Sequence, residues 1–210
     1  MVNIDPRLYF LMRKMNTVQK QKFRGTKIRI LDIGHADGSF MGIVRDNMPG
    51  VISVDGVDVP SRWTQKTPLK MPGKCYAQDL QVNTGEIPLS NYHIIVAWEV
   101  IEHIENVPIF LRNVRKLLVN GGVFLLSTPN LMGLSRFVKG KKWVGITETD
   151  HKYLFDSLSL CMILERNGFC NVNSKGYFLP SAGCRFDWLN EMLSIVPGGG
   201  MLFCVATPKE

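Results

Sequence analysis

Apolar residues in this chain gather in short blocks that alternate with stretches of helical spacing. Ile28, Ile30, Leu31 and Ile33 form the first block, and others follow at 51–59, 74–77, 93–98 and 123–127. Polar residues or glycines bound each block, which is the pattern of strands buried on both faces. Between them, 40–47 and 99–118 carry apolar residues every three or four positions and predict helices, stopped by Pro49-Gly50 and by Asn120-Gly121-Gly122. A leading helix is expected within 1–25 from Leu8, Leu11, Met12, Met15 and Val18, and another from about Asp156 to Asn167, closed by Gly168. Two last strands are expected at 172–178 and 201–206. This alternation predicts an α/β fold: a mostly parallel sheet with helices on both faces and an antiparallel edge from the closing strands. Periodicity fades over 131–150, and 179–200 reads as an excursion containing Trp188, Leu189 and Met192.

Composition adds bounds rather than a function. With 210 residues, 45% of them hydrophobic and 20% charged, the chain reads as a single domain over 1–210 with a sizeable core. No apolar run approaches a membrane span, and the N-terminus lacks the apolar centre of a secretion signal. The five cysteines, Cys75, Cys161, Cys170, Cys184 and Cys204, are scattered without C-x-x-C spacing. That argues against a disulfide framework or a cysteine zinc site and predicts a reducing, cytoplasmic setting. The formal charge of +7 suits an anionic partner without establishing one. Basic residues concentrate at Arg7, Arg13, Lys14, Lys20, Lys22 and Arg24, and again at Arg136, Lys139, Lys141 and Lys142 beside Phe137 and Trp143. The first group reads as the solvated face of a helix that could also act as a lid. The second is a basic and aromatic stretch of the kind that can hold a single-stranded nucleic-acid end.

Chemistry enters at the end of the first block. Asp32 closes it, Gly34 opens a turn, Gly38 ends the turn, and Ser39-Phe40-Met41 starts a helix. A strand, a glycine turn and a helix start place a ligand at the carboxyl edge of a parallel sheet, where small residues let it approach the backbone. Asp58 ends the second block, at the position where an acidic side chain accepts hydrogen bonds from a ribose in doubly wound folds.

With those residues in hand, the chain resembles the class I S-adenosylmethionine (SAM)-dependent methyltransferases over roughly 26–208. The resemblance rests on Leu-Asp-Ile-Gly-x-x-Asp-Gly at 31–38, Gly-Val-Asp at 56–58, Gln-Asp-Leu at 78–80, Glu-Val-Ile-Glu-His at 99–103 and the Asn-Gly-Gly before the fifth strand, in that order. It implies a seven-stranded Rossmann-like sheet with a reversed last strand, and SAM as cofactor. Carried over, Asp32, Gly34 and Gly38 would hold the methionine part, Asp58 the ribose, and Asp79 and Leu80 the adenine. Trp98, closing the fourth strand, joins the expected cofactor-binding set. His35 and Ala36 depart from the family, which has a small residue and a glycine there.

The expected chemical site lies just beyond the fourth strand. At the start of a predicted helix, Glu99, Glu102 and His103 would share one face. Two carboxylates and an imidazole suit a divalent cation such as Mg²⁺ or Mn²⁺, with His151 as a fourth ligand. Glu-x-x-Glu-His with a later His resembles the ubiquinone-biosynthesis O-methyltransferases and the small-RNA 3′-terminal 2′-O-methyltransferases. Without a metal, Glu102 and His103 are the expected catalytic residues, His103 as general base for a hydroxyl acceptor. Three readings stay open: methylation of oxygen on a small-molecule acceptor, methylation of RNA, and a binding module without catalysis. The acceptor would be framed by the leading helix, 131–150 and 179–200, with Tyr9, Trp143, Tyr153, Phe178 and Trp188 as candidate lining.

Overall fold

A computed structural model describes residues 6–60, 73–178, 192 and 198–209, apart from the side chains of Pro6 and Tyr9. The expected excursion over 179–200 therefore lies largely outside the described residues, Trp188, Leu189 and Cys184 with it.

Seven strands form one sheet in the order β3-β2-β1-β4-β5-β7-β6. They are β1 (Ile28–Ile33), β2 (Val51–Asp58), β3 (Cys75–Ala77), β4 (Tyr92–Trp98), β5 (Leu118–Pro129), β6 (Phe169–Tyr177) and β7 (Met201–Pro208). β1 to β5 pair in parallel, whereas β7 runs antiparallel to both β5 and β6. The two closing strands thus form the expected antiparallel edge, with β7 inserted beside β5. Ile30, Leu31, Ile94, Ile95, Val96, Phe124 and Leu125 are fully buried, so the apolar blocks mark the centre of the sheet as their composition requires.

Around the sheet lie α1 (Pro6–Lys22), α2 (Ser39–Asn47), α3 (Val107–Leu117), α4 (Leu134–Lys139), α5 (Val144–Thr147) and α6 (Ser157–Arg166). One cluster packs β1, β2 and β4 against α1 and α2 through Phe10, Met15, Met41 and Val44. The opposite cluster packs the sheet against α3 and α6 through Phe110, Val114, Leu160 and Leu164. Among the described helices none is long and apolar enough to cross a membrane.

One predicted element is corrected. Residues 99–118 do not form one helix: Ile101–His103 make a single 3-10 turn, and α3 begins at Val107. Asn106 caps α3 by accepting from Ile109 N, with proline in the first turn. Pro108 has no N–H to give the Ile104 carbonyl, and its ring would crowd that carbonyl in a continuous helix, so the helix is interrupted here. Glu102 and His103 are consequently brought together by this turn, not by a helix face. In 131–150 short helices replace the expected loop; α4 buries none of its residues, which is why no core-facing period shows there.

Candidate active site

The carboxyl ends of β1, β2 and β4 open into a cavity of about 450 Å³, within the range of small-molecule sites. Gly34, Ala36, Asp58, Asp79 and Leu80 line it, together with Gln78, Val100, Phe110, His103 and Asp150. A second cavity of about 230 Å³ adjoins it through Gly34, Ala36 and Glu99 and is closed by Arg7, Leu8 and Leu11 of α1. Asp32, His35, Phe40, Trp98 and Ser127 also line it. Seven cofactor-binding residues were expected from the sequence, and six of them line one cavity or both. Gly38 lines neither; with φ +73° it turns the chain into α2.

Backbone conformation shapes this edge. Gly34 sits at φ +73°, and a Cβ there would lie 2.7 Å from Val100 Cγ2. Ala36 adopts φ +46°, a left-handed conformation that costs an L-residue about 1–2 kcal/mol. That conformation points Ala36 N at Asp58 Oδ2, 3.1 Å away, while Asp58 Oδ1 accepts from Val59 N at 2.8 Å. Asp58 is thereby aimed by two amides, and each oxygen keeps a lone pair for a ligand. Asp79 is held likewise by Gln81 N, which donates to its Oδ1 at 2.8 Å. The large His35 is accommodated because β2 carries glycine opposite it: a Cβ on Gly56 would lie 2.7 Å from the imidazole. Asp32 is buried, and burial, with the nearby Asp58 charge, holds its carboxyl well above the usual carboxylate range.

On the other side of the larger cavity, Glu102, His103 and His151 bring a ligand atom each within 4.8 Å of one another. His151 arrives from a distant segment because Lys152 N and Tyr153 N both donate to the Glu102 carbonyl, at 2.7 and 3.2 Å. The two rings then meet edge to face with centroids 4.8 Å apart. His103 Nδ1 lies 3.2 Å from the Asp150 carbonyl, and His151 Nδ1 lies 3.1 Å from the Gly145 carbonyl. A carbonyl only accepts, so each ring carries a proton on Nδ1 in this arrangement. Burial lowers the His103 pKa, which keeps that ring neutral at pH 7.

Glu102 is 1% exposed, and neither of its carboxyl oxygens has a hydrogen-bond partner among the described residues. Burial, reinforced by the Glu99 charge, pushes its pKa up to about 8. Glu99 stands apart from the three: Ser127 Oγ donates to its Oε1 at 2.9 Å, and its backbone takes φ +54°. Three of the four expected metal ligands therefore come together, and the donor set is two imidazoles and one carboxyl. Such a set suits Mn²⁺ or another first-row cation better than Mg²⁺, which prefers oxygen ligands.

A family model described as a methyltransferase domain matches residues 7–174. The chain belongs to this family. No curated protein matches it in sequence. Among solved structures, a SAM-dependent methyltransferase from Archaeoglobus fulgidus is 17% identical, with 93% of each chain covered and a TM-score of 0.63. The plantazolicin methyltransferase BpumL, in complex with a triazolic desmethylPZN analog and SAH, is 15% identical over 99% of this chain and 87% of its own, with a TM-score of 0.70. Phosphoethanolamine N-methyltransferase 2 of Haemonchus contortus is 16% identical over 94% of this chain and 53% of its own, with a TM-score of 0.64. At such identities the likeness is one of fold, and the family match establishes the class: a SAM-dependent methyltransferase, hence an enzyme and not a bare binding module.

Several lining residues of this methyltransferase were not foreseen. Gln81 Oε1 accepts from Glu105 N and Asn106 N at 2.7 and 3.1 Å, tying the Asp79 loop to the start of α3. Ser127 orients Glu99 across two strands. Neither contact carries a local sequence signal, since each joins segments distant along the chain. Of the expected aromatic lining, Trp143 is 4% exposed and packed on Gly145, so its ring is not available to stack on a base. Tyr153 is exposed and donates its hydroxyl to the Glu105 carbonyl at 3.1 Å. Tyr9 and Trp188 lie outside the described side chains.

Proposed function

We propose that this methyltransferase transfers a methyl group from SAM to an oxygen of a small-molecule acceptor, assisted by a divalent cation at Glu102, His103 and His151. What carries the reading is the cluster itself: Glu102, His103 and His151 bring a ligand atom each within 4.8 Å of one another, both imidazole Nδ1 atoms sit at backbone carbonyls, and the carboxyl is buried with no hydrogen-bond partner among the described residues. A metal-binding imidazole commonly donates its other N–H to a carbonyl in this way. A buried carboxyl with no hydrogen bond is costly by itself, and a cation would offset that cost.

The residues present fit the cofactor: acidic side chains at two strand ends, a glycine that a Cβ would close, and a cavity of about 450 Å³. In this reading Asp58 takes the ribose hydroxyls, Asp79 and Leu80 the adenine, and Asp32, Gly34 and Gly38 the methionine part beside Trp98. SAM supplies an electrophilic methyl on a cationic sulfonium, and transfer leaves a neutral thioether. The acceptor hydroxyl must shed its proton as it attacks. Glu102, His103 and His151 would hold a divalent cation, which would lower the pKa of a nearby hydroxyl so that its proton passes to water. His103 and His151 orient, and Leu8, Leu11 and Trp98 exclude water so that donor and acceptor stay in line. α1, with Arg7, Leu8 and Leu11 over the smaller cavity, serves as a lid.

Stripping the enzyme with EDTA and restoring Mn²⁺ or Mg²⁺ tests the metal. Activity lost and regained supports it, whereas full activity after stripping leaves His103 as a general base acting alone. RNA as acceptor is the weaker reading, because Trp143 is buried and only Phe137 is left as an exposed ring in the basic stretch.

A further inference from the structure

The excursion between β5 and α6 has a surface that the catalytic reading leaves unused. α4 carries Leu134, Phe137 and Val138 at i, i+3 and i+4, on one face, yet none of its residues is buried. Their exposures are 56%, 60% and 87%, and Val144 and Ile146 of α5 add 59% and 51%. An apolar patch of this density is unusual on a solvated surface and marks a place of contact. Four cations, Arg136, Lys139, Lys141 and Lys142, are interleaved with it, and 131–147 contains no acidic residue. Lys139, Lys141 and Lys142 are exposed and make no ion pair among the described residues.

We propose that this face docks the protein onto an anionic membrane surface, with the apolar side chains entering the interface and the lysines meeting lipid phosphates and carboxylates. Charge complementarity selects the partner: the segment is wholly cationic and the whole chain is +7. The exposed apolar residues are chiefly aliphatic, which suits acyl chains. A nucleic acid would need stacking rings, and of the two aromatics here Trp143 is buried. The surface is also held in shape. Leu134 N donates to the Gly198 carbonyl at 2.8 Å, Arg136 donates to the Leu131 carbonyl at 3.1 Å, and Trp143 packs under Gly145. The excursion leaves the sheet at the carboxyl end of β5 and returns at His151, so docking would set the mouth of the site against the bilayer.

Co-sedimentation of the full chain with vesicles of phosphatidylcholine alone, or of phosphatidylcholine mixed with phosphatidylserine, tests this. Binding is expected only with the anionic lipid and weakens as salt is raised. Replacing Lys139, Lys141 and Lys142 with Ala should weaken it about a hundredfold, at about fivefold per charge. Phe137→Ser with Val138→Ser should weaken it at least about tenfold, with the unfolding midpoint unchanged. Should that pair misfold, Val138→Asp alone serves, since its side chain stands almost free in solvent. No sedimentation with anionic vesicles, or sedimentation that all these variants leave intact, overturns the proposal. So does a single-stranded RNA that binds through the same lysines while vesicles do not.

Discussion

Asp58, on the wall of the larger cavity, and Glu102, buried beside the cavity-lining His103, are held in opposite ways. Asp58 receives a backbone N–H on each oxygen and stands ready before any ligand arrives. Glu102 receives none, is sealed from water, and is pushed toward the neutral form. The first arrangement is that of a recognition group, preorganised at small cost. The second is that of a group whose environment is completed by something else. Under the proposed function, recognition and chemistry are thus divided between the end of β2 and the turn that follows β4.

Perturbing each side should separate their effects. The largest change is expected for His103→Ala: in the proposed mechanism it removes a ligand or base beside the acceptor and should lower kcat by about 10³-fold or more, with SAM affinity within a few-fold of the parent. Calorimetry and steady-state rates on one preparation would show whether that split holds. Asp58→Ala should do the reverse, weakening SAM by roughly 10- to 100-fold through two lost hydrogen bonds to a charged group. If affinity is untouched, the ribose assignment fails.

Glu102→Gln is next. In the unfolded chain this carboxyl ionises at its ordinary value, while in the fold without metal it stays protonated up to about pH 8. Between those values the unfolded state binds fewer protons than the native one, so the carboxyl's contribution to stability falls as pH rises from about 4.5 to about 8. The metal-free variant should therefore be the more stable protein at pH 8, by roughly 1–3 kcal/mol, with little difference at pH 4.5. Thermal melts at the two pH values decide it. The smallest effect is expected for Ala36→Gly, which relieves φ +46° and should stabilise the fold by about 0.5–1 kcal/mol.

The same division governs what the sequence could reveal. The cofactor side was legible because its signals are local: a buried apolar strand, a glycine turn, and an acid at each of two strand ends. Its exception, His35, had no local answer: the room for it is left by Gly56 on the neighbouring strand. The chemical side was less so. Glu102 and His103 read as helical because 99–118 keeps an apolar period, although the helix itself starts only at Val107. His151 entered as an available imidazole with no spacing to tie it to the others, and its seat depends on the Glu102 carbonyl, a contact across distant segments. In 131–150 the period vanished because the short helices there face solvent, not a core. Burial, which decides the charge of Glu102, is a property of the fold and not of any spacing.

The most direct test of the account is a calorimetric titration of Mn²⁺ into EDTA-stripped protein, run beside Glu102→Gln. One site per chain is expected in the parent, with binding that expels a proton once the pH is below about 8, and affinity weakened at least tenfold in the variant. No binding to the parent, or equal binding to both proteins, would contradict it.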